Sequence, residues 1–158
     1  MANTQSMCTS FMGELLTATH NFGTAPIRAA TTADTFKAAL YLTTATINAA
    51  TTAYSATGEV TGTNYTAGGV TVTNATAPTA TNSSSTAGVA YWTPSASFVY
   101  TTVTLTTAFD TVLLYNSTQS NKAVSVHTFG SQTITAGTFT LTMPSNTTTT
   151  ALLRLSTT

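Results

Sequence analysis

Threonine occupies 43 of the 158 positions of this chain, and this abundance restricts the possible folds more than any other feature. Its side chain is branched at Cβ, which limits χ1 rotation and lowers the preference for helix. The same branching suits a pleated, half-solvated surface, so β-branched residues are enriched in strands. The composition therefore predicts a protein built mainly from β-sheet.

Charge is almost absent, since four acidic and four basic side chains give a formal net charge of zero. Ordinary soluble domains are about a quarter charged, and a net charge away from zero keeps separate copies apart in solution. A neutral, hydroxyl-rich chain is poorly suited to a crowded existence as a free monomer. We therefore expect it to pack against copies of itself or against a larger assembly.

The totals also exclude several classes of protein. The length fits one domain, and 42% hydrophobic residues are enough for a packed core. A single cysteine excludes an intramolecular disulfide framework. Four dispersed bases are too few for a nucleic-acid partner. We see neither a secretory signal nor an apolar run of about 18 residues, so we expect no membrane partner and folding in a cytoplasm.

The first 24 residues differ in pattern from the rest. Met7, Phe11 and Leu15 recur at spacings of four, Thr4 or Ser6 could cap a helix, and a stop signal follows at 21–23. This pattern predicts an α-helix over residues 4–20. We accordingly divide the chain into an N-terminal helix and arm, residues 1–24, and a β-sandwich domain, residues 25–158.

From Asp34 onward the hydrophobic period changes to two. Alternation and turn residues predict about seven to nine short strands, at 36–43, 70–73, 89–93, 98–107, 112–115, 122–129, 138–143 and 151–155. Residues 74–88 are predicted to form a loop and 116–121 a turn. Turn signals at roughly ten-residue intervals indicate a single antiparallel β-sandwich or barrel of jelly-roll type.

Residues able to carry chemistry are few. Cys8, His20 and His127 fall short of the roughly four ligands of a structural zinc site. A serine with His127 and Asp110 could make a hydrolase triad on paper, but no Gly-x-Ser-x-Gly elbow accompanies them. Glu59 and Asp110 could be paired carboxylates, yet nothing in their spacing supports it. We therefore predict a non-enzymatic protein with no catalytic residue, bound metal or cofactor.

Two further patterns have alternative interpretations. Residues 58–69 are rich in glycine but lack the Gly-Lys-Ser/Thr ending of a phosphate-binding loop, so a turn is favoured. The aromatic residues around Pro94 fit core packing, a protein interface or a sugar-stacking surface. Combining them with the N-terminal stripe gives six candidate interface residues: Met7, Phe11, Leu15, Tyr91, Trp92 and Tyr100.

Several segments together resemble a group of small virion proteins of tailed bacteriophages. The segments are Met7-Cys-Thr-Ser-Phe, His20-Asn-Phe, Asp34-Thr-Phe-Lys-Ala-Ala-Leu-Tyr, Thr52-Ala-Tyr-Ser, Gly58-Glu-Val, Gly62-Thr-Asn-Tyr-Thr-Ala-Gly-Gly-Val, Leu114-Tyr-Asn-Ser-Thr, Asn121-Lys-Ala-Val and Gly137-Thr-Phe-Thr-Leu. The resemblance covers nearly the whole chain. These are turn and strand patterns, so the resemblance implies a structural role on the head or tail and no catalytic residues.

Within that group, the resemblance implies a capsid decoration (cement) protein in the virion, assembled in the host cytoplasm. We expect a homo-oligomer, with a trimer suiting symmetric positions between capsomers, bound to the major capsid protein or another virion protein. The helix or the stretch to Ile27 would contact the shell. Two alternatives remain open: a tail, neck or fibre component, and a carbohydrate-binding attachment module that uses Tyr91, Trp92 or Tyr100.

Overall fold

The computed structural model describes residues 3–8, 11, 15, 19–20, 22, 33–73, 77–81 and 88–156. These residues contain eight strands: β1 Ser6–Met7, β2 Phe36–Leu42, β3 Val70–Thr71, β4 Thr79–Thr81, β5 Val89–Trp92, β6 Phe98–Asn116, β7 Lys122–Leu141 and β8 Leu153–Ser156. They form a five-stranded sheet in the order β1-β7-β6-β2-β3 and a three-stranded sheet in the order β4-β5-β8. Every pairing is antiparallel, and neither sheet closes into a barrel. The prediction of a mainly β, antiparallel protein is confirmed, and the barrel alternative is wrong.

Strand β2 lies inside the larger sheet, between β6 and β3. Its alternating sequence predicts a half-buried strand, and the bounds agree with that prediction. Five of its seven residues are buried, because chain segments cover both of its faces. Each backbone edge is also paired, with Phe36 opposite Asn116 and Ala38 opposite Val70.

Strands β6 and β7 form one long hairpin of 19 and 20 residues, where the sequence predicts four short strands. The predicted turn is correct, with Ser120 and Asn121 at positive φ. The predicted breaks near 108–111 and 130–137 are wrong. Register shifts near Phe109 absorb these irregular positions, as β-bulges do, and the ladder continues past them.

The hairpin folds back on itself. Phe109 pairs with Gln132 in the ladder, and Phe139 pairs with Tyr100, nine positions further along β6. Nine residues of straight strand would separate these pairs by about 30 Å. The rings of Phe109 and Phe139 are nevertheless 5.2 Å apart. The bulged middle of the hairpin is therefore a sharp bend that brings its two halves face to face.

The three-stranded sheet meets the larger sheet through aromatic packing. Trp92, at the end of β5, is 2% exposed, and its ring lies 4.7 Å from Phe22 and 6.1 Å from Phe36. Strand β4 falls inside the loop predicted for residues 74–88, so that prediction is wrong at Thr79–Thr81. The strand sequence Thr-Ala-Thr is exposed throughout and carries no apolar alternation from which it could be predicted.

The predicted helix over residues 4–20 is not supported. Ser6–Met7 instead form strand β1 opposite Ser125–Val126, and the Cys8 N–H donates to the Val124 carbonyl at 3.1 Å. Pairing along the edge of β7 satisfies these backbone groups, and it outweighs the helical spacing of the side chains. Phe11 and Leu15 have helical backbone geometry, but the residues between and around them lie outside the described part.

The predicted domain boundary at residues 24 and 25, and the stretch to Ile27, also lie outside the described residues. Cys8, Phe11 and Phe22 are buried in the same hydrophobic core as the strands. The described N-terminal residues therefore pack as part of the β-structure. No helix within the described ranges combines the length and apolar character needed to cross a membrane.

Candidate functional site

An apolar cleft lies where the N-terminal residues meet the three-stranded sheet. It measures about 430 Å³ with its open mouth included. Ten residues line it: Met7, Phe11, Leu15, Phe22, Pro78, Ala90, Tyr91, Trp92, Leu153 and Leu155. None of them carries a charge, so the cleft suits an apolar side chain better than a polar ligand.

Edge-to-face contacts between aromatic rings build the inner wall of the apolar cleft. Phe11 and Phe22 lie 5.8 Å apart at 77°, and Phe22 and Trp92 lie 4.7 Å apart at 63°. Phe22 also stacks on Phe36 of β2 at 4.5 Å. Such ring pairs add about 0.5–1.5 kcal/mol each to the gain from burial, so this wall is firmly held.

The structure brings five of the six candidate interface residues together in this cleft: Met7, Phe11, Leu15, Tyr91 and Trp92. Phe11 and Trp92 are each 2% exposed and belong to its wall, whereas Met7, Leu15 and Tyr91 are half-buried. Tyr100 lies elsewhere. It is 3% exposed, and its hydroxyl donates to the Ala38 carbonyl at 2.8 Å.

Sequence reasoning missed Phe22, Leu153 and Leu155 as members of the cleft. Leu153 and Leu155 alternate with Arg154 in β8, and this alternation could have indicated an apolar face. Leu155 remains 42% exposed and is one of two large hydrophobic side chains described with that exposure. Phe22 had no comparable local signal, because it stands within the stop signal predicted at 21–23.

A buried polar cluster lies next to the aromatic wall. The Asn116 Oδ1 accepts the backbone N–H groups of Thr118 and Gln119 at 3.1 Å each, which orients the amide. Its Nδ2 then faces Asp34 Oδ2 at 2.8 Å and His20 Nδ1 at 3.1 Å. Since Nδ2 is a donor, His20 Nδ1 must accept. This contact ties His20 to the end of β6.

A second buried cluster surrounds Glu59, which is 7% exposed. Its carboxylate accepts the hydroxyl of Tyr54 at 2.6 Å, the hydroxyl of Tyr65 at 2.8 Å and the N–H of Gly68 at 2.7 Å. We call these four residues the glutamate–tyrosine cluster. Turn residues occur within the glycine-rich segment, as predicted, and the Gly68 N–H is bound within the protein.

Five tyrosines in and around this cluster resist ionisation. Burial, with a further contribution from the Glu59 charge, raises the pKa of Tyr115 to about 12. Burial is also the main cause that raises the pKa of Tyr41, Tyr54, Tyr65 and Tyr100. These hydroxyls therefore act as neutral hydrogen-bond donors rather than as acid–base groups at physiological pH.

A polar groove of about 780 Å³, mouth included, lies beside this cluster. Lys37, Asn64, Tyr65, Val99, Tyr100 and Thr101 contribute to its lining. Because Tyr100 and Trp92 are nearly inaccessible, neither ring presents a face on which a sugar could stack. Of the three aromatic residues considered for sugar binding, only Tyr91 is more than slightly exposed.

The hydrolase triad considered from the sequence is assembled only in part. Ser125 Oγ and His127 Nε2 are 2.8 Å apart, but Ser125 is 1% exposed. Asp110 Oδ1 instead accepts hydrogen bonds from Asn3 Nδ2 at 2.8 Å and Thr111 Oγ1 at 2.7 Å. Within the described ranges, no three His, Cys, Asp or Glu residues are grouped as metal ligands.

His127 makes the stability of the fold depend on pH. Burial lowers its pKa to about 4, from an ordinary value of 6.5. Between these two values the unfolded chain binds a proton that the folded chain does not, so acidification from pH 6.5 to pH 4 destabilises the fold. We expect a loss of about 1–3 kcal/mol from this residue, since a shift of one unit corresponds to 1.36 kcal/mol and the side chain is partly exposed.

Urea unfolding at several pH values would measure this effect in the native protein and in His127→Gln. The free energy of unfolding of the variant should therefore depend less on pH. The slopes of unfolding free energy against pH should differ most between the two proteins from pH 4 to pH 6.5. Identical slopes in both proteins would show that His127 titrates normally in the folded state.

Comparisons with known proteins add no relative: no family model matches the sequence, and no curated protein or solved structure matches it either. The geometry of the chain and the resemblance noted above therefore supply the basis for a proposed function.

Proposed function

We propose that this chain is a non-enzymatic structural protein of a bacteriophage virion, in which it acts as a capsid decoration (cement) protein. The observation that carries this proposal is the apolar cleft, which gathers five of six predicted interface residues. An uncharged apolar concavity on a nearly charge-free protein fits an assembly contact. The resemblance to small virion proteins supplies the setting.

The remaining architecture fits the same role. We infer a β-sandwich in which the folded-back hairpin and the smaller sheet are the two layers, with the cleft at their junction. Its exposed strand residues are mainly threonine and serine, as in the outer half of β7. Contacts made by neutral hydroxyl groups are not weakened by salt screening, whereas contacts between exposed charges are.

The proposal can be tested by mixing the purified protein with empty shells of the major capsid protein encoded in the same genome. We expect saturable binding with hundreds of copies at symmetric positions in a particle map. Occupancy limited to a few or some tens of copies at one vertex would favour the tail, neck or fibre alternative. Absence of binding to any shell would overturn the decoration role.

A matched pair of variants tests the cleft itself. Met7→Ser changes a half-buried side chain at the β1 side of the cleft, and we expect shell binding to weaken about tenfold, roughly 1.4 kcal/mol. Val99→Ser changes an exposed side chain outside the cleft and should bind normally. Equal affinities for the two variants would show that the cleft does not contact the shell.

A further inference from the structure

The outer edge of β8 is open among the residues that the structure describes. The three-stranded sheet has the order β4-β5-β8, so β8 is hydrogen-bonded to β5 along one side only. An open edge carries unpaired N–H and C=O groups that can pair with another strand. Three strands are also close to the minimum for a stable sheet. This edge is therefore able to accept a further strand.

The side chains of β8 make this edge unusual. Leu155 is 42% exposed and lies at the rim of the apolar cleft, next to the more buried Leu153. Arg154 alternates with them and is exposed. Among the large hydrophobic side chains described, only Leu155 and Val99 are this exposed. An added strand would cover Leu155 and extend the apolar surface of the cleft.

We propose that the occupant of this edge is β8 of a second copy of the chain, paired in antiparallel orientation across a two-fold axis. The inference names the partner surface of the assembly proposed above and depends on that proposal for its biological setting. A two-fold contact uses the same patch on both copies, so the patch must be self-complementary. The charge on β8 decides how it can pair with itself.

The registers centred on Arg154 and on Leu155 both place leucines on the same face, and their charges distinguish them. If Arg154 faced Arg154 of the second copy, like charges would lie directly opposite each other, which destabilises a strand pair. If Leu155 faces Leu155, each Arg154 lies opposite Ser156 and the two arginines are separated. The second register buries the exposed leucines against each other with less charge repulsion, because the two arginines are diagonal neighbours about 7–8 Å apart instead of directly opposite. It also converts two three-stranded sheets into one sheet of six strands.

Disulfide trapping tests this register. Opposite residues in an antiparallel pair have Cβ atoms about 4.5–5.5 Å apart, close enough for a disulfide after a small adjustment. Leu155→Cys should form a covalent dimer under mild oxidation at micromolar concentration, at least tenfold faster than Val99→Cys. Val99 is a matched control because it is also 42% exposed and lies outside the cleft, and the native Cys8 is fully buried.

Charge exchange provides a second test that needs no oxidation. Wild-type protein should sediment at twice the chain mass of 16.2 kDa. Leu155→Lys and Leu155→Glu should each sediment as monomers, whereas an equal mixture should recover the dimer, because opposite charges then meet across the axis. Circular dichroism would confirm that both variants remain folded.

Three results would overturn the pairing: a monomeric or trimeric wild-type protein, equal crosslinking rates for the two cysteine variants, or no recovery in the mixture. Shell binding is measured separately. A monomer that still binds shells would remove this inference and leave the proposed function intact. A dimer that binds no shell would overturn the proposed function and leave the pairing of β8 intact.

Discussion

Replacing Glu59 with leucine is expected to destabilise the fold by about 3–5 kcal/mol. Leucine offers no acceptor, so the hydroxyls of Tyr54 and Tyr65 and the N–H of Gly68 would all lose their partner. Each buried donor left unpaired costs about 1–3 kcal/mol, and the removal of a desolvated charge offsets part of the sum. Urea unfolding followed by circular dichroism would measure the loss.

Two graded controls accompany this variant. Glu59→Gln keeps the shape and one acceptor oxygen, so we expect a loss of about 1–2 kcal/mol. Tyr54→Phe removes one donor together with its demand for a partner, and it should cost less than Glu59→Leu. If the unfolding free energy of Glu59→Leu were within about 1 kcal/mol of the native value, the glutamate–tyrosine cluster would not be what holds residues 54–68 against the sheet.

Replacing Trp92 with alanine is expected to cost about 3–5 kcal/mol, the usual range for a buried tryptophan. The ring is 2% exposed and contacts Phe22 and Phe36, so its removal leaves a cavity between the two sheets. Trp92→Phe retains part of the packing and should lose less. Because Trp92 is the only tryptophan, circular dichroism rather than fluorescence must follow unfolding of both variants.

The same variant tests how the sheets are joined. Tyr91→Ala, one position earlier, removes a half-buried ring from the same cleft and should cost less than Trp92→Ala. A similar loss for both variants would mean that Trp92 contributes as a rim residue and that the sheets are held together by other contacts.

Local patterns in the sequence predicted much of the strand content. The residue pattern within a single strand is a local property, so β2 and β5 were predicted close to their actual bounds. The composition alone predicted the β class. Turn chemistry located the hairpin turn after Asn116 for the same reason, since the conformation of a turn depends mainly on its own few residues.

The failures concern features that depend on distant partners. The two halves of β7 were predicted as separate strands because Gly130 and Gly137 resemble strand ends. The bulged ladder between β6 and β7 nevertheless continues through them. Met7, Phe11 and Leu15 share one cleft, as the stripe suggested, but Met7 reaches it from a strand. The spacing of side chains cannot reveal that β7 offers an open edge to that segment.

The candidate site shows the same division. Five of six interface residues were found because large apolar residues in a polar chain are conspicuous. Tyr100 was misplaced, since an aromatic residue near Pro94 in sequence need not share its surface. Leu155 and Phe22 were missed because the cleft is made by chain segments more than a hundred residues apart. Nothing local marked Glu59 as the acceptor for two tyrosines.

The position of β2 in the larger sheet has a consequence for synthesis on the ribosome. Its ladder partners on β6 follow it by 67–80 positions, from Leu42 opposite Phe109 to Phe36 opposite Asn116. At about 5–20 residues per second, the nascent chain carries this apolar segment without its main partner for roughly 3–16 s. Because the chain has few charges to oppose aggregation, a chaperone that binds nascent chains during that interval would raise the yield of native protein.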